Sequence, residues 1–231
     1  HPGWTANLSS IPNEERQRKL IAAHPKNNFG LLLGVPFGED EGLAAPDIDD
    51  DRLVKLVLHL LGLNRAERRA VLSGKRGKKG GTIFVRAPKS LKSTVIKGIG
   101  GLGNIDFLAA GKMTVMAPSI HPDTGEPYEV IGRPLLEVDF ADLPQITERH
   151  VKLLKVAIGS ERAIVLIEGK ATHDAGVSLV AVLVHAGATD EEITTIITGL
   201  LPDNYSGDSL KELPGWIRSA RAKGFAEIDD E

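Results

Sequence analysis

The sequence predicts an α/β (α+β) fold, a mixed sheet with flanking helices, followed by a small all-α C-terminal module. Three observations carry this. Short β-rich runs bounded by Gly, Pro and Asn recur between residues 29 and 131 and alternate irregularly with amphipathic helical stretches, which argues against a pure bundle or a pure sandwich. Beyond about Pro144 the strand signals stop and helix caps follow one another. With 231 residues and 42% hydrophobic content, the chain can bury a core in one large domain or two small ones.

In chain order, Asn13 is placed to cap a helix over residues 14 to 23, which Pro25 limits. Phe29 to Leu33 reads as a buried strand, and Pro36 to Gly42 as a turn-rich link. Leu43 to Asp49 is a second strand; side chains alternate across it, so Asp47 and Asp49 share one face and Ile48 takes the other. Pro46 has no N–H, which points to an edge position or a bulge. Arg52 to Leu61 is an apolar-periodic helix, and Asn64-Arg65-Ala66-Glu67 opens a short second one. Further strands are expected at 82 to 87, 94 to 97, 105 to 108, 113 to 117 and 128 to 131.

The domains expected are 1–146 and 147–231. In the second, Thr147 caps a helix to Ile158, and Asp174 to Ala186 forms another, apolar nearly all round. Thr189-Asp190-Glu191-Glu192 is a capping box for a helix ended by Pro202, and Pro214 starts a last helix that stops at Gly224. Residues 161 to 168 fit strand and helix equally. His173 and His185 read as a helix-start and a core residue.

No Cys is present, which excludes a disulfide scaffold and thiolate metal sites. No apolar run of membrane-spanning length and no signal peptide is seen, so the expected compartment is the cytoplasm and no membrane partner is expected. A chain starting at His1 reads as a processed or excised fragment, N-terminally incomplete.

The net charge of -3 hides a strong segregation. Arg65 to Lys97 holds eleven basic residues against the single acid Glu67, while Glu39 to Asp51 holds seven acids and no base. A basic tract grips phosphate and an acidic cluster holds divalent cations, the pairing that nucleotidyl transfer needs.

The most informative stretch is Met116-Ala117-Pro118-Ser119-Ile120-His121-Pro122-Asp123-Thr124-Gly125, an apolar strand running into a rigid turn that carries Ser and His. Read with Gly42 to Asp49, with Ile105-Asp106, and with the weaker pattern Gly3-Trp4 … Asn27-Asn28-Phe29-Gly30, it resembles the bifunctional primase-polymerase domains of the archaeo-eukaryotic primase superfamily. The resemblance spans roughly residues 3 to 131, and the helical tail resembles the small domain that often follows. It implies a DNA primase/polymerase of a prokaryotic, plasmid or phage replicon. Its partners would be single-stranded template, primer and (d)NTPs, with a replicative helicase a further candidate.

By that resemblance Asp47, Asp49 and Asp106 are the catalytic carboxylates and the ligands of Mg²⁺ or Mn²⁺. Two Asp on one strand face and a third from another strand suit a two-metal phosphoryl transfer. The plain alternative reads the Asp47-to-Asp51 run as a helix cap with a dipole-compensating first turn. Lys75, Arg76, Lys78 and Lys79 would contact nucleic acid, or form a solvated hairpin tip. Thr82, Arg86, Ser119 and His121 would bind the nucleotide; His121 could equally hydrogen-bond its own loop. Aligning Gly80 to Pro88 with the family pattern puts Thr82 where the family has a phosphate-contacting His, so the triphosphate loses an ionic partner unless a nearby Lys or Arg compensates. A second registration, disfavoured by motif order, takes Ser119 and His121 as the Ser-x-His motif and Asp139 as the later carboxylate. Two functions compete: a nucleotidyltransferase, and a catalytically degenerate fold that keeps nucleic-acid or nucleotide binding. A scaffold using the helical tail is a third class.

Overall fold

Glu41–Ile48, the longest strand, is the axis around which the sheet is built. The structure is a computed structural model and describes residues 13–23, 28–37, 40–63 and 70–224. The sequence features at Gly3-Trp4, Pro25, Asn27, Glu39 and Asn64 to Arg69 lie outside the described residues.

The strands are β1 (Gly30–Leu32), β2 (Pro36–Phe37), β3 (Glu41–Ile48), β4 (Ser73–Arg76), β5 (Gly81–Ile83), β6 (Val85–Pro88), β7 (Thr94–Ile96), β8 (Ile105–Leu108), β9 (Met113–Val115) and β10 (Glu129–Gly132). The helices are α1 (Glu14–Ala23), α2 (Asp51–Leu60), α3 (Glu148–Ile158), α4 (Arg162–Glu168), α5 (Thr172–His185), α6 (Asp190–Leu200) and α7 (Ser209–Ala222). The main sheet runs β10-β4-β5-β3-β8-β7, with β2 and β6 also paired to β3; β1 and β9 form a separate ribbon. The ladders are antiparallel, and one isolated parallel bridge, Arg86 to Gln145, makes the sheet mixed.

Pro46 does not mark an edge or a bulge: β3 is central, between β5/β6 on one side and β8 on the other. Pairing with β8 runs unbroken through Pro46, opposite Phe107. On the other side the ladder stops at Ala44–Val85 and resumes at Asp47–Thr82 in the same register, so β5 and β6 are one strand in alignment with β3, interrupted where Pro46 has no N–H to donate. The cost is confined to one ladder step.

The two faces of β3 separate the molecule into layers. Ala44 and Ile48 join Ile83, Val85, Ile105 and Phe107 in the larger core, which continues through α2 and α3 to α7. Leu43 and Ala45 face the opposite way, into a smaller cluster with Leu33, Phe84 and Leu143. That second face is covered at its Leu43–Ala45 end by residues around β1 and by the stretch from Leu135 to Leu143. Asp47 lies beyond this cover.

In the helical half, the stretch left open between strand and helix folds as α4, and α7 begins at Ser209, not at Pro214, which sits inside it. The caps at Thr147 and Thr189 form as capping boxes. His185 is exposed in the last turn of α5 and not in the core. Helix α6 packs on α2 so closely that a side chain at Gly199 would put a carbon 2.9 Å from the Leu56 Cα. Among the described residues no helix is long and apolar enough to cross a membrane.

Candidate active site

Directly opposed residues of neighbouring strands share a face, and one such row crosses the sheet as Val130, Lys75, Thr82, Asp47, Asp106, Val95. Period-2 alternation along β3 places Asp47 on this face, and β8 does the same for Asp106 because Ile105 and Phe107 are taken by the core. Asp47 and Asp106 are thus immediate cross-strand neighbours, and both are half-buried.

Asp49 sits one step past the end of β3, exposed, with its N–H bonded to the Asn104 carbonyl at 2.9 Å. Its carboxyl is pushed above the ordinary value by burial and then by the charges of Asp47 and Asp106, with Lys79 opposing. The three sequence-predicted carboxylates therefore feel one another. Among the described residues, however, no three His, Asp or Glu side chains are gathered tightly enough to form a ready metal cage. The donors are all oxygens, which suits Mg²⁺ or Mn²⁺, and Mg²⁺ is commonly held by one or two carboxylates, with waters and substrate phosphates completing the shell.

The acidic run divides by role. Asp50 caps α2: it accepts from Arg52 N at 3.0 Å, from the Arg52 guanidinium and from Gly103 N at 2.9 Å. The Arg52 side chain holds the Asp50 carboxyl down to about 2. Asp51 opens the helix and accepts from Gly80 N and from Arg76 at 2.6 Å. The capping interpretation thus describes Asp50 and Asp51, and leaves Asp47 and Asp49 on the open face.

The β4–β5 hairpin brings the basic tract to this face, yet its residues part company. Gly80, at φ +61°, allows the turn to press against the end of β3, where any side chain would collide with the Ile48 carbonyl. Lys78 and Lys79 are exposed at the tip. Arg76, next to Lys75 in an alternating strand, points the other way and pairs with Asp51. Lys75 is only 6% exposed, on the carboxylate face, with its ammonium 4.3 Å from the centre of the Tyr128 ring. Burial pushes its pKa down, with Asp47 opposing.

Thr82, 1% exposed, donates to Asp47 Oδ1 at 2.5 Å. Arg86 is on the same face but four residues along, roughly 13 Å from Thr82, where it pairs with Glu41 at 3.0 Å and donates to the Leu143 carbonyl. Ser119 is buried and accepts from Phe29 N at 3.1 Å, tying the turn to the start of β1. Asn28 adds a reciprocal pair with the Ile120 backbone. His121 Nδ1 accepts from Asp123 N within its own loop, and its ring lies 5.0 Å from that of Tyr128. Both rings crowd Gly77, where a side chain would meet His121 Cδ2 at 2.5 Å. Asp139 is exposed at a single turn, Phe140–Asp142, on the covered end of the face.

Two members of this face escape a reading of the sequence. For Tyr128 the signal is alternation, since Val130 opposes Lys75 and residue 128 lies two positions back on the same side. The burial of Lys75 has no local signal, because β4 reads only as a charge run.

No curated protein and no solved structure matches the chain. A family profile does: that of the bifunctional DNA primase/polymerase, N-terminal domain matches residues 2–146, which contain the entire sheet and the face just described. With well over half its length matched, the chain belongs to the bifunctional DNA primase/polymerase family.

Proposed function

We propose that the chain is a metal-dependent primase/polymerase domain that adds nucleotides to a primer on a single-stranded template, in replication of a prokaryotic, plasmid or phage replicon. The observation that carries this reading is the adjacency of Asp47 and Asp106 in one cross-strand row, with Asp49 electrostatically coupled to both, on a face flanked by a basic hairpin. Asp47, Asp49 and Asp106 would hold Mg²⁺ or Mn²⁺, which when bound neutralises charge on the attacking and leaving oxygens.

The chain's own residues supply position and field. Thr82 fixes the rotation of the Asp47 carboxylate, leaving Oδ2 without a protein donor among the described residues. Asn28 and Ser119 hold the turn that presents His121. With Nδ1 accepting from Asp123, the neutral imidazole carries its proton on Nε2, a donor for a phosphate or sugar oxygen. Lys78 and Lys79 are free to track a template backbone. A replicative helicase is the further partner the family resemblance implies.

A second reading, a degenerate domain that binds DNA or nucleotide without chemistry, is favoured by Thr82 at the position of the family's His and by the lack of a ready three-ligand cage among the described residues. Extension of a labelled primer on a template with Mn²⁺ separates the two. Extension that disappears in an Asp47→Ala/Asp49→Ala chain supports the enzyme; retained DNA binding with no extension by the unmodified chain establishes the binding domain instead.

A further inference from the structure

Lys75 is more than nine-tenths buried, yet among the described residues no acidic side chain pairs with it and no acceptor lies within hydrogen-bond reach of its ammonium. Its ammonium lies over the face of the Tyr128 ring, 4.3 Å from the centre. An aromatic face attracts a cation but leaves its hydrogen-bonding capacity unused. The side chain is buried, but Ser73 Oγ and not the Lys75 ammonium is the fully buried polar side-chain atom without a partner among the described residues, so water reaches the ammonium and an anion entering the face can displace it.

The row across the sheet says where that anion would come from. Lys75 is directly opposite Thr82, and Thr82 is directly opposite Asp47. Two strand spacings, about 9.5 Å, separate the Lys75 and Asp47 backbones. No ion pair joins the two side chains among the described residues, although the charge of Asp47 opposes the downward push of burial on Lys75. A polyphosphate whose one end meets a cation on Asp47 and Asp106 can reach the Lys75 ammonium with the other, passing over the Thr82 side chain. The neighbouring Ser73, with that unpartnered hydroxyl, is on the same face of β4.

Resting on the reading of this face as a nucleotide site, we propose that Lys75 is the phosphate-binding cation for the incoming nucleoside triphosphate, taking from the adjacent strand the charge that Thr82 lacks, and is not a DNA contact. Its burial separates it from the exposed Lys78 and Lys79: a long duplex or strand backbone slides over exposed cations, whereas only a small anion entering the face meets this one. Tyr128 is a positioning residue that holds the ammonium in place before the phosphate arrives.

The test uses the whole chain with Mn²⁺, comparing binding of dATP, dAMP and an oligothymidylate in the unmodified protein and in Lys75→Met, which keeps the buried stem. Lys75→Gln serves as a second variant, and thermal midpoints verify folding of both. The expected result is a loss of at least about tenfold in dATP affinity. Affinity for dAMP should stay within about twofold, and the salt slope for the oligonucleotide should not change. Adding Thr82→His to Lys75→Met is expected to restore part of the dATP affinity, since it returns a cation to the same row. Unchanged dATP affinity in both variants overturns the proposal, as does a reduced salt slope for the oligonucleotide with dATP binding intact, which makes Lys75 a template contact. An unmodified chain that binds no triphosphate with Mn²⁺ overturns the nucleotide-site reading itself, a result distinct from either of these.

Discussion

Thr82 and Asp47 are opposed across the ladder between β5 and β3 and are joined by a hydrogen bond of 2.5 Å from the threonine hydroxyl to Oδ1. With Thr82 only 1% exposed, this bond is shielded from solvent competition and fixes the orientation of the most central carboxylate on the face. Thr82→Val keeps the shape and removes the donor. A hydrogen bond to a charged group contributes ~1.5 to 3 kcal/mol, so primer extension should fall about tenfold to a hundredfold while the fold persists. Extension at the unmodified level in Thr82→Val would show that Asp47 needs no such restraint.

Burial of Asp49, with the charges of Asp47 and Asp106 acting on it, gives the second prediction. Asp49 has a folded pKa above its unfolded value, so the stability it contributes is complete below about pH 4 and is lost as pH rises through the raised folded pKa. At neutral pH its charge therefore costs stability. Asp49→Asn is expected to unfold at the same temperature as the unmodified chain or higher when no divalent ion is added. Mn²⁺ should raise the midpoint of the unmodified chain and have little effect on Asp49→Asn or Asp47→Asn. Equal Mn²⁺ shifts in all three, followed by thermal unfolding, would remove these carboxylates from any cation site.

Asp50 follows the opposite sign. Its folded pKa is depressed to about 2 by Arg52, so its stabilisation is present above about pH 4 and is lost as pH falls toward 2. Asp50→Ala removes the α2 cap and the bond to Gly103 N, at a cost of about 1 to 2 kcal/mol near neutral pH. Urea unfolding at a series of pH values should show the gap between the two proteins closing over that acid range. A constant gap would mean that the carboxylate charge contributes nothing beyond the cap geometry.

The basic hairpin yields a prediction about salt. Lys78 and Lys79 are exposed, whereas Arg76 is already paired with Asp51. Neutralising Lys78 and Lys79 together should flatten the plot of log affinity against log salt by ~0.7 per lost contact on single-stranded DNA. Arg76→Gln should change the slope less. Fluorescence anisotropy with a labelled oligonucleotide measures both, and equal slopes for all three proteins would reduce the hairpin to a solvated loop.

The parts of this molecule that could be read from the sequence are those with a local cause. Strand alternation gives the face of Asp47, the predicted strand at 105 to 108 carries Asp106, and the chemistry of exposed helix N–H groups gives the caps at Thr147 and Thr189. The parts that escaped depend on distant neighbours. Ser73-Gly74-Lys75-Arg76 has no apolar rhythm, and becomes a strand because β5 and β10 flank it on both sides. Pro46 misled because a missing N–H is a local penalty, whereas the central position of β3 is set by two long ladders whose register carries straight past it. Arg86 carries a charge like the others of its tract, but Glu41 and Leu143, far away in sequence, had already claimed it.

Gly199 ties the far end of the chain to the chemistry at its centre. Helix α2 is a rod whose first turn is clamped by Asp50 and Asp51 directly behind Asp49, and whose middle, at Leu56, rests on α6 with no room for a single added carbon. A wedge inserted there would lever the rod about that contact and carry the strand end with it. The tail beyond residue 146, outside the matched family segment, thereby underpins the helix that starts directly behind Asp49.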